Sequence, residues 1–295
     1  MKGLETGPLA DGDAVELARV WAASERHDIG EPLITEEDIV TAFKRPSMDF
    51  ERHSVGVRDG GTLVAAGLLY GEHETFVHVA PSHRGRGIGT WLLRWSQEAA
   101  RASGHVRTCQ TLSENERAAR ELLETDGYER THEGWIFEIE LEREPDAPAL
   151  PPGYAIRDAR PGHDDADAFR VIEAAFGEWR EHEVGTLEDW TAETFGRPGF
   201  RAELLALALH ADEVVGVALL IDEPGQLWVA QLAVARPHRG RGLARALLAR
   251  AFGIAWRDGR RRCALATDSR TGARALYEHV GMRATRTSWE YAKSL

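Results

Sequence analysis

His83-Arg84-Gly85-Arg86-Gly87-Ile88-Gly89-Thr90-Trp91-Leu92-Leu93 decides the fold of this chain, because the chain writes it twice. The second copy is His238-Arg239-Gly240-Arg241-Gly242-Leu243-Ala244-Arg245-Ala246-Leu247-Leu248. A run of strand character precedes each copy: Phe76-Val77-His78-Val79-Ala80-Pro81 in the first, Gln231-Leu232-Ala233-Val234-Ala235-Arg236-Pro237 in the second. An amphipathic helix follows each. A strand, a Gly-rich turn and a helix N-terminus make a site for anionic phosphates. The glycines let the backbone approach closely, orphan N–H groups point outward, and the helix dipole favours negative charge.

Two nucleotide-binding patterns do not fit. A dinucleotide fingerprint needs a third Gly where Thr90 stands, and a P-loop needs Lys followed by Ser or Thr after its last Gly, which neither copy has. The spacing is Arg-x-x-Gly-x-Gly at Arg84, Gly87 and Gly89, and Arg-x-x-Gly-x-Ala at Arg239, Gly242 and Ala244. It closely resembles the acetyl-CoA pyrophosphate loop of the GNAT (Gcn5-related N-acetyltransferase) family. The resemblance implies that Arg84, Gly85, Arg86, Gly87, Ile88 and Gly89, and likewise Arg239, Gly240, Arg241, Gly242, Leu243 and Ala244, hold the pyrophosphate of CoA. It also implies that Val77, His78 and Val79, with Leu232, Ala233 and Val234, run beside the pantetheine.

Composition sets the class. The 295 residues are enough for two domains of ordinary size. The formal net charge of −12 argues against nonspecific nucleic-acid binding and for a soluble cytoplasmic protein, with the loop arginines as local anion sites on an acidic body. No apolar run reaches the roughly 20 residues of a membrane span, and Met1-Lys2-Gly3-Leu4-Glu5-Thr6 lacks the apolar stretch of a signal peptide. Two cysteines, Cys109 and Cys263, allow no metal constellation, and each sits in an apolar run that reads as a buried strand.

Those cysteines lie 154 residues apart, as do Gly127 and Gly281, and Trp135 and Trp289. A long period met twice is a duplicated domain rather than a solenoid. Between the copies, Glu144-Pro145-Asp146-Ala147-Pro148-Ala149-Leu150-Pro151-Pro152-Gly153 cannot continue a helix or a central strand. The expected division is a first domain over 1–145, a linker over 146–153 and a second domain over 154–295.

In the first half, Asp11-Gly12-Asp13 offers a cap for a helix with Val15, Leu17, Ala18, Val20 and Trp21 on its apolar faces. His27-Asp28 reads as a polar loop, and Thr35 starts a second helix. Strands follow over 53–58, 62–70 and 74–80, with an Asp59-Gly60-Gly61 hairpin turn. After the loop helix come a strand near 106–112, a helix capped near Ser113 and a strand from Trp135 to Leu141. The second half repeats the order. This succession matches an α/β (α+β) fold of two tandem GNAT domains, each a mixed, mostly antiparallel sheet flanked by helices.

The halves differ at one chemically telling position. Asn115-Glu116-Arg117-Ala118 with Asp126-Gly127-Tyr128 resembles the family's late helix, which usually carries a Tyr four residues before the Gly. The first half has Leu123 there; the second has Tyr277 within Leu276-Tyr277-Glu278-His279-Val280-Gly281. Acyl transfer from a thioester to an amine needs a held donor, a neutral amine, a donor to the oxyanion and a proton for the leaving thiolate. The resemblance implies acetyl-CoA as cofactor, chemistry in the second half, Tyr277 as the acid and a backbone N–H near Leu232–Val234 for the oxyanion. Glu223, before the strand that enters the loop, is the choice for the base. Asp222 at the same turn, and Glu178, Glu181 and His182 in the acceptor region, are the other candidates, and an acidic acceptor region suits a cationic amine. The expected partner is a small-molecule primary amine, with no nucleic acid and no membrane. A CoA or acyl-CoA sensor without turnover is the alternative, favoured by Leu123 and opposed by Tyr277.

Overall fold

In the computed structural model, which describes residues 3–71, 73–178 and 184–295, the first repeat runs β1 (Glu5–Gly7), α1 (Ala14–Ile29), α2 (Glu36–Phe43), α3 (Phe50–His53), β2 (Ser54–Asp59), β3 (Thr62–Tyr70), β4 (Glu74–Val79), α4 (Ile88–Ala102), β5 (Arg107–Ser113), α5 (Arg117–Thr125) and β6 (Glu129–Glu140). The second runs β7 (Tyr154–Asp158), α6 (Asp165–Phe176), α7 (Leu187–Phe195), β8 (Leu205–His210), β9 (Glu213–Glu223), β10 (Gln226–Val234), α8 (Leu243–Arg257), β11 (Arg262–Asp268), α9 (Arg274–His279) and β12 (Arg283–Ser294). Among the described residues, no helix is long and apolar enough to cross a membrane.

The chain divides into two compact units, but not at the Pro-rich linker. Unit 1 is Met1–Glu133 with Ser288–Leu295; unit 2 is Gly134–Thr287. The strand expected to close the first half closes unit 2 instead: β6 pairs antiparallel with β11, Cys263 opposite Ile139 and Leu265 opposite Phe137. In return the end of β12 pairs with β5 in unit 1, Cys109 opposite Ala292 and Leu112 opposite Trp289. The physical reason lies in the repeat itself. Two last strands of matching length and pattern meet two equivalent open edges, so the pairing pattern that fixes register does not fix which copy supplies the strand.

Each unit is a mixed sheet, antiparallel except where β4 meets β5 and β10 meets β11. Period-2 alternation gives both faces something to bury. In unit 2, Leu205, Leu207 and Leu209 of β8 pack against α6 and Trp190 of α7. Ala206 and Ala208 of the same strand lie on Leu243 and Leu247 of α8. In unit 1, Ala66 and Leu68 meet the α1 and α2 residues Leu17, Trp21, Ile39 and Phe43, while Val64 and Ala65 meet Ile88 and Leu92 of α4. Of the α1 residues expected in the core, Val15 points to solvent and the other four are buried. Both cysteines are buried strand thiols, and burial pushes Cys263 up to about 12.

Candidate functional site

The two loops have the same backbone. In unit 2 the chain leaves β10, makes one 3-10 turn over Arg236–His238 that contains Pro237, and enters α8 with Gly242 at the N-cap. In unit 1 it leaves β4, turns over Pro81–His83 and enters α4 with Gly87 at the N-cap. Gly240 and Gly242 have φ of 71° and 82°, and Gly85 and Gly87 of 74° and 80°. A side chain in that left-handed region costs roughly 1–2 kcal/mol, so glycine is required by conformation. A Cβ at any of the four would meet no protein atom within 4 Å, so these positions open outward. No side chain caps the first turn of either helix, which leaves its N–H groups to an anion.

The first arginine of each loop turns back on the protein. Arg239 donates from Nε to the Val234 carbonyl at 2.8 Å and from Nη1 to Glu178 at 2.8 Å. Arg84 does the same with the Val79 carbonyl at 3.2 Å, and its two terminal nitrogens reach Asp28 at 2.6 Å each and Ser24 at 2.7 Å. The His27-Asp28 loop expected from the sequence is therefore the last turn of α1, and Asp28 is the partner of a loop arginine. What the loop presents outward is backbone N–H and the second arginine, Arg86 or Arg241.

Beside loop 2 the sheet opens. β10 pairs with β11 only from Gln226–Arg262 to Trp228–Ala264, although β10 continues to Val234 and β11 to Asp268. Parallel strands that part leave N–H and C=O groups facing a gap, and an extended amide-bearing ligand can take them. A bulge between Val229 and Gln231 breaks the register with β9 in the same stretch. It also reverses the faces: Leu227 and Val229 before it and Val234 after it lie on the α8 side, while Ala233 lies on the α6 side. Gln231 accordingly accepts from the indole N–H of Trp190 at 2.9 Å. In unit 1, β4 meets β5 at Glu74–Cys109 alone among the described residues, and its register with β3 has no break. The bulge is a site feature that the sequence did not announce.

Leu232, Ala233 and Val234 lie on the open stretch of β10, and Val77, His78 and Val79 on the matching stretch of β4. Tyr277 sits on α9, buried, with its ring 5.6 Å from that of Phe137. Burial pushes its phenol above the usual range, and the Thr267 hydroxyl beside it works in the opposite direction. Its counterpart Leu123 is buried among Leu93, Leu112, Tyr128 and Tyr291. Glu223 is not brought to the same place. It ends β9, opposite Gln226, whose side-chain amide donates to it at 2.7 Å. At roughly 3.3 Å per residue, Gln226 stands about 16 Å along β10 from Gln231, so a base at Glu223 needs water in between. Asp222 is engaged by Arg201 and Arg260. Glu181 and His182 lie outside the described residues.

Unit 1 gathers ionisable groups of its own. His78 stacks on Trp21 with ring centroids 4.1 Å apart, and burial pushes its imidazole down to about 3. Glu116 accepts from the Ser113 N–H at 2.6 Å. Burial pushes its carboxyl up to about 7, with Asp28 and Glu25 adding to the rise and Arg84 opposing it. The fold thus favours protonated Glu116. Stability from this group is full below the ordinary carboxylate range and is lost as pH rises through about 7. Glu116→Gln, uncharged throughout, should gain on the parent as pH rises from about 5 to 8, by roughly 2–8 °C in melting temperature. A constant difference between the two melting curves across that range would show that Glu116 does not titrate there.

A model of the acetyltransferase (GNAT) family matches residues 18–128 and 166–282. A mycothiol acetyltransferase from Kineococcus radiotolerans is 32% identical over 302 residues, spanning 97% of this chain and 95% of that protein. Another from Salinispora tropica is 32% identical over 214 residues, 69% of this chain and 67% of the relative. Among solved structures, a GCN5-related N-acetyltransferase from Sphaerobacter thermophilus aligns over 100% of this chain and 96% of its own, with a TM-score of 0.79 and 29% identity. A tandem GNAT protein from the clavulanic acid biosynthesis pathway shares the fold at a TM-score of 0.73 and 19% identity, over 99% of this chain and 98% of its own. The tandem organisation, which also resembles mycothiol synthase, has its counterpart in the two matched stretches and in the tandem GNAT neighbour.

Proposed function

The chain belongs to the acetyltransferase (GNAT) family, and from that premise we propose that it moves the acetyl group of acetyl-CoA to the primary amine of a small molecule, with the chemistry in unit 2. The observation that carries this reading is the parting of β10 from β11 beside the uncapped N-terminus of α8. The pyrophosphate lies on the N–H groups of Gly240–Ala244, and the pantetheine amides bond to the free edge of β10 near Leu232–Val234. A β10 N–H after the bulge donates to the thioester oxygen as it becomes an oxyanion. The neutral amine adds to the carbonyl carbon, the C–N bond forms, the C–S bond breaks, the CoA thiolate takes the Tyr277 proton, and the nitrogen gives up its surplus proton, which returns through water to the Tyr277 phenolate. An ammonium with a pKa near ~10.4 must first lose a proton, and Glu223 takes it through water. Unit 1 keeps the loop and binds CoA without the acid.

The relatives named for mycothiol favour a sugar-linked cysteine as acceptor. The deciding experiment is release of free CoA thiol from acetyl-CoA against polyamines, aminoglycosides, amino acids, peptide N-termini and cysteinyl glycosides. Turnover with one amine class supports the reading. CoA binding with no turnover on any amine would leave the sensor as the better account.

A further inference from the structure

The two loops share a backbone and differ in charge. In unit 1 both loop arginines face carboxylates. Arg84 is held by Asp28, and Arg86 meets Asp59 at 3.2 Å, with His83 at 3.3 Å from the same carboxylate. Its hydrogen bonds to Asp28 raise Arg84 against the opposing effect of burial, and Arg86 and His83 hold Asp59 below its usual range. Two cations against two anions leave loop 1 with no net charge. In unit 2, Arg239 has Glu178, but Arg241 has no carboxylate partner among the described residues, and Arg236 and Arg245 are exposed at either end of the loop. Among the described residues, four cations against one anion leave loop 2 at about +3. The sequence positions matching Arg236 and Arg245 in the first repeat are Pro81 and Thr90.

We propose that the repeats divide CoA recognition by charge: unit 2 is the phosphate-attracting, salt-sensitive CoA site, and Asp59 makes unit 1 a weaker site, because its carboxylate offsets the loop cations that would meet the pyrophosphate. This rests on the reading of both loops as CoA sites. The Arg86–Asp59 pair is solvent-exposed on both sides, so Arg86 can leave it at small cost. The Asp59 carboxylate remains at the loop wherever Arg86 goes, and it repels a pyrophosphate. At a separation of about 8 Å, well inside the ~30 Å Debye length of ~0.01 M salt, that repulsion is worth roughly a threefold to tenfold change in affinity.

The test is calorimetric titration with CoA at low salt and again at about 0.2 M, where screening shortens the reach of these charges. The parent should show two unequal sites, with Gly242→Glu removing the tighter, salt-sensitive one and Gly87→Glu the weaker. In the Gly242→Glu protein, adding Asp59→Asn should tighten the remaining site by roughly threefold to tenfold at low salt and less at high salt. Asp59→Ser should do the same, which guards against a local effect of one replacement on the β2–β3 turn. Two sites of equal affinity and equal salt dependence overturn the proposal, and so does an Asp59 substitution that leaves unit 1 unchanged or weakens it. A parent protein that binds no CoA at all overturns the function proposed above, and this inference with it.

Discussion

Tyr277→Phe lowers kcat by roughly 10²–10⁴-fold, the range of a lost general acid, while CoA affinity and melting temperature stay close to those of the parent. The substitution keeps the ring that packs against Phe137 and removes only the hydroxyl. Its neighbour Thr267 keeps a partner after the change, because its hydroxyl lies 2.9 Å from that of Thr271. No buried polar group is orphaned, so the stability cost stays below about 1 kcal/mol. Burial raises the phenol pKa, so Tyr277 stays protonated through neutral pH; the same shift makes it a weaker acid, and its transfer to the alkyl thiolate, whose conjugate acid lies near ~8.5 in water, is eased only because burial at the site disfavours the thiolate as well. Thermal melting and turnover with any accepted amine separate this from a packing role. Parent-like turnover with a lowered melting temperature would return Tyr277 to the core and leave unit 2 without an acid.

What could be read from the sequence was whatever depends on local pattern. The loops, their glycines and the helices behind them follow from Gly spacing and apolar periodicity, and the structure places them where the pattern does. The Leu123–Tyr277 difference needs only an aligned repeat. The α1 boundary was within reach: Gly30, with φ of 92°, is the left-handed residue that ends the helix after Ile29, and reading it as a cap would have put Asp28 on the helix. Contacts between distant positions were not within reach. Asp28 and Arg84 are 56 residues apart, and only the packing of α1 on the sheet brings them together. The bulge between Val229 and Gln231 has no Gly or Pro to mark it. The exchanged last strands were hidden by the repeat itself, since β6 and β12 carry the same kind of pattern and either suits either edge.

That exchange changes how the asymmetry between the units should be understood. Unit 2 owns the bulged strand, the parted sheet, Tyr277 and the excess of loop cations, but its sheet is completed by residues that precede the linker. Unit 1 likewise depends on the last residues of the chain. A second repeat that cannot be finished without the first gives a physical reason to keep the first, even where its late helix carries Leu123.

Gly242→Glu abolishes turnover, with a loss of roughly 10³-fold or more, and Gly87→Glu leaves most of it. The pair is a matched comparison because the backbone at the two positions is the same, φ of 82° and 80°, each at the N-cap of the loop helix. Both replacements bear the same strain of roughly 1–2 kcal/mol for a side chain in the left-handed region. Neither new Cβ meets protein within 4 Å. The glutamate therefore projects into the space over the helix N-terminus, adding bulk and a negative charge where the pyrophosphate sits. Strain and folding cost cancel in the comparison, and what is left is the function of each loop. Steady-state kinetics on both variants, with melting temperatures to confirm equal strain, decide the matter. A large loss from Gly242→Glu alone assigns the acetyl donor to loop 2. Equal losses from both would mean that turnover needs CoA at both loops, and the division of labour between the repeats would fail.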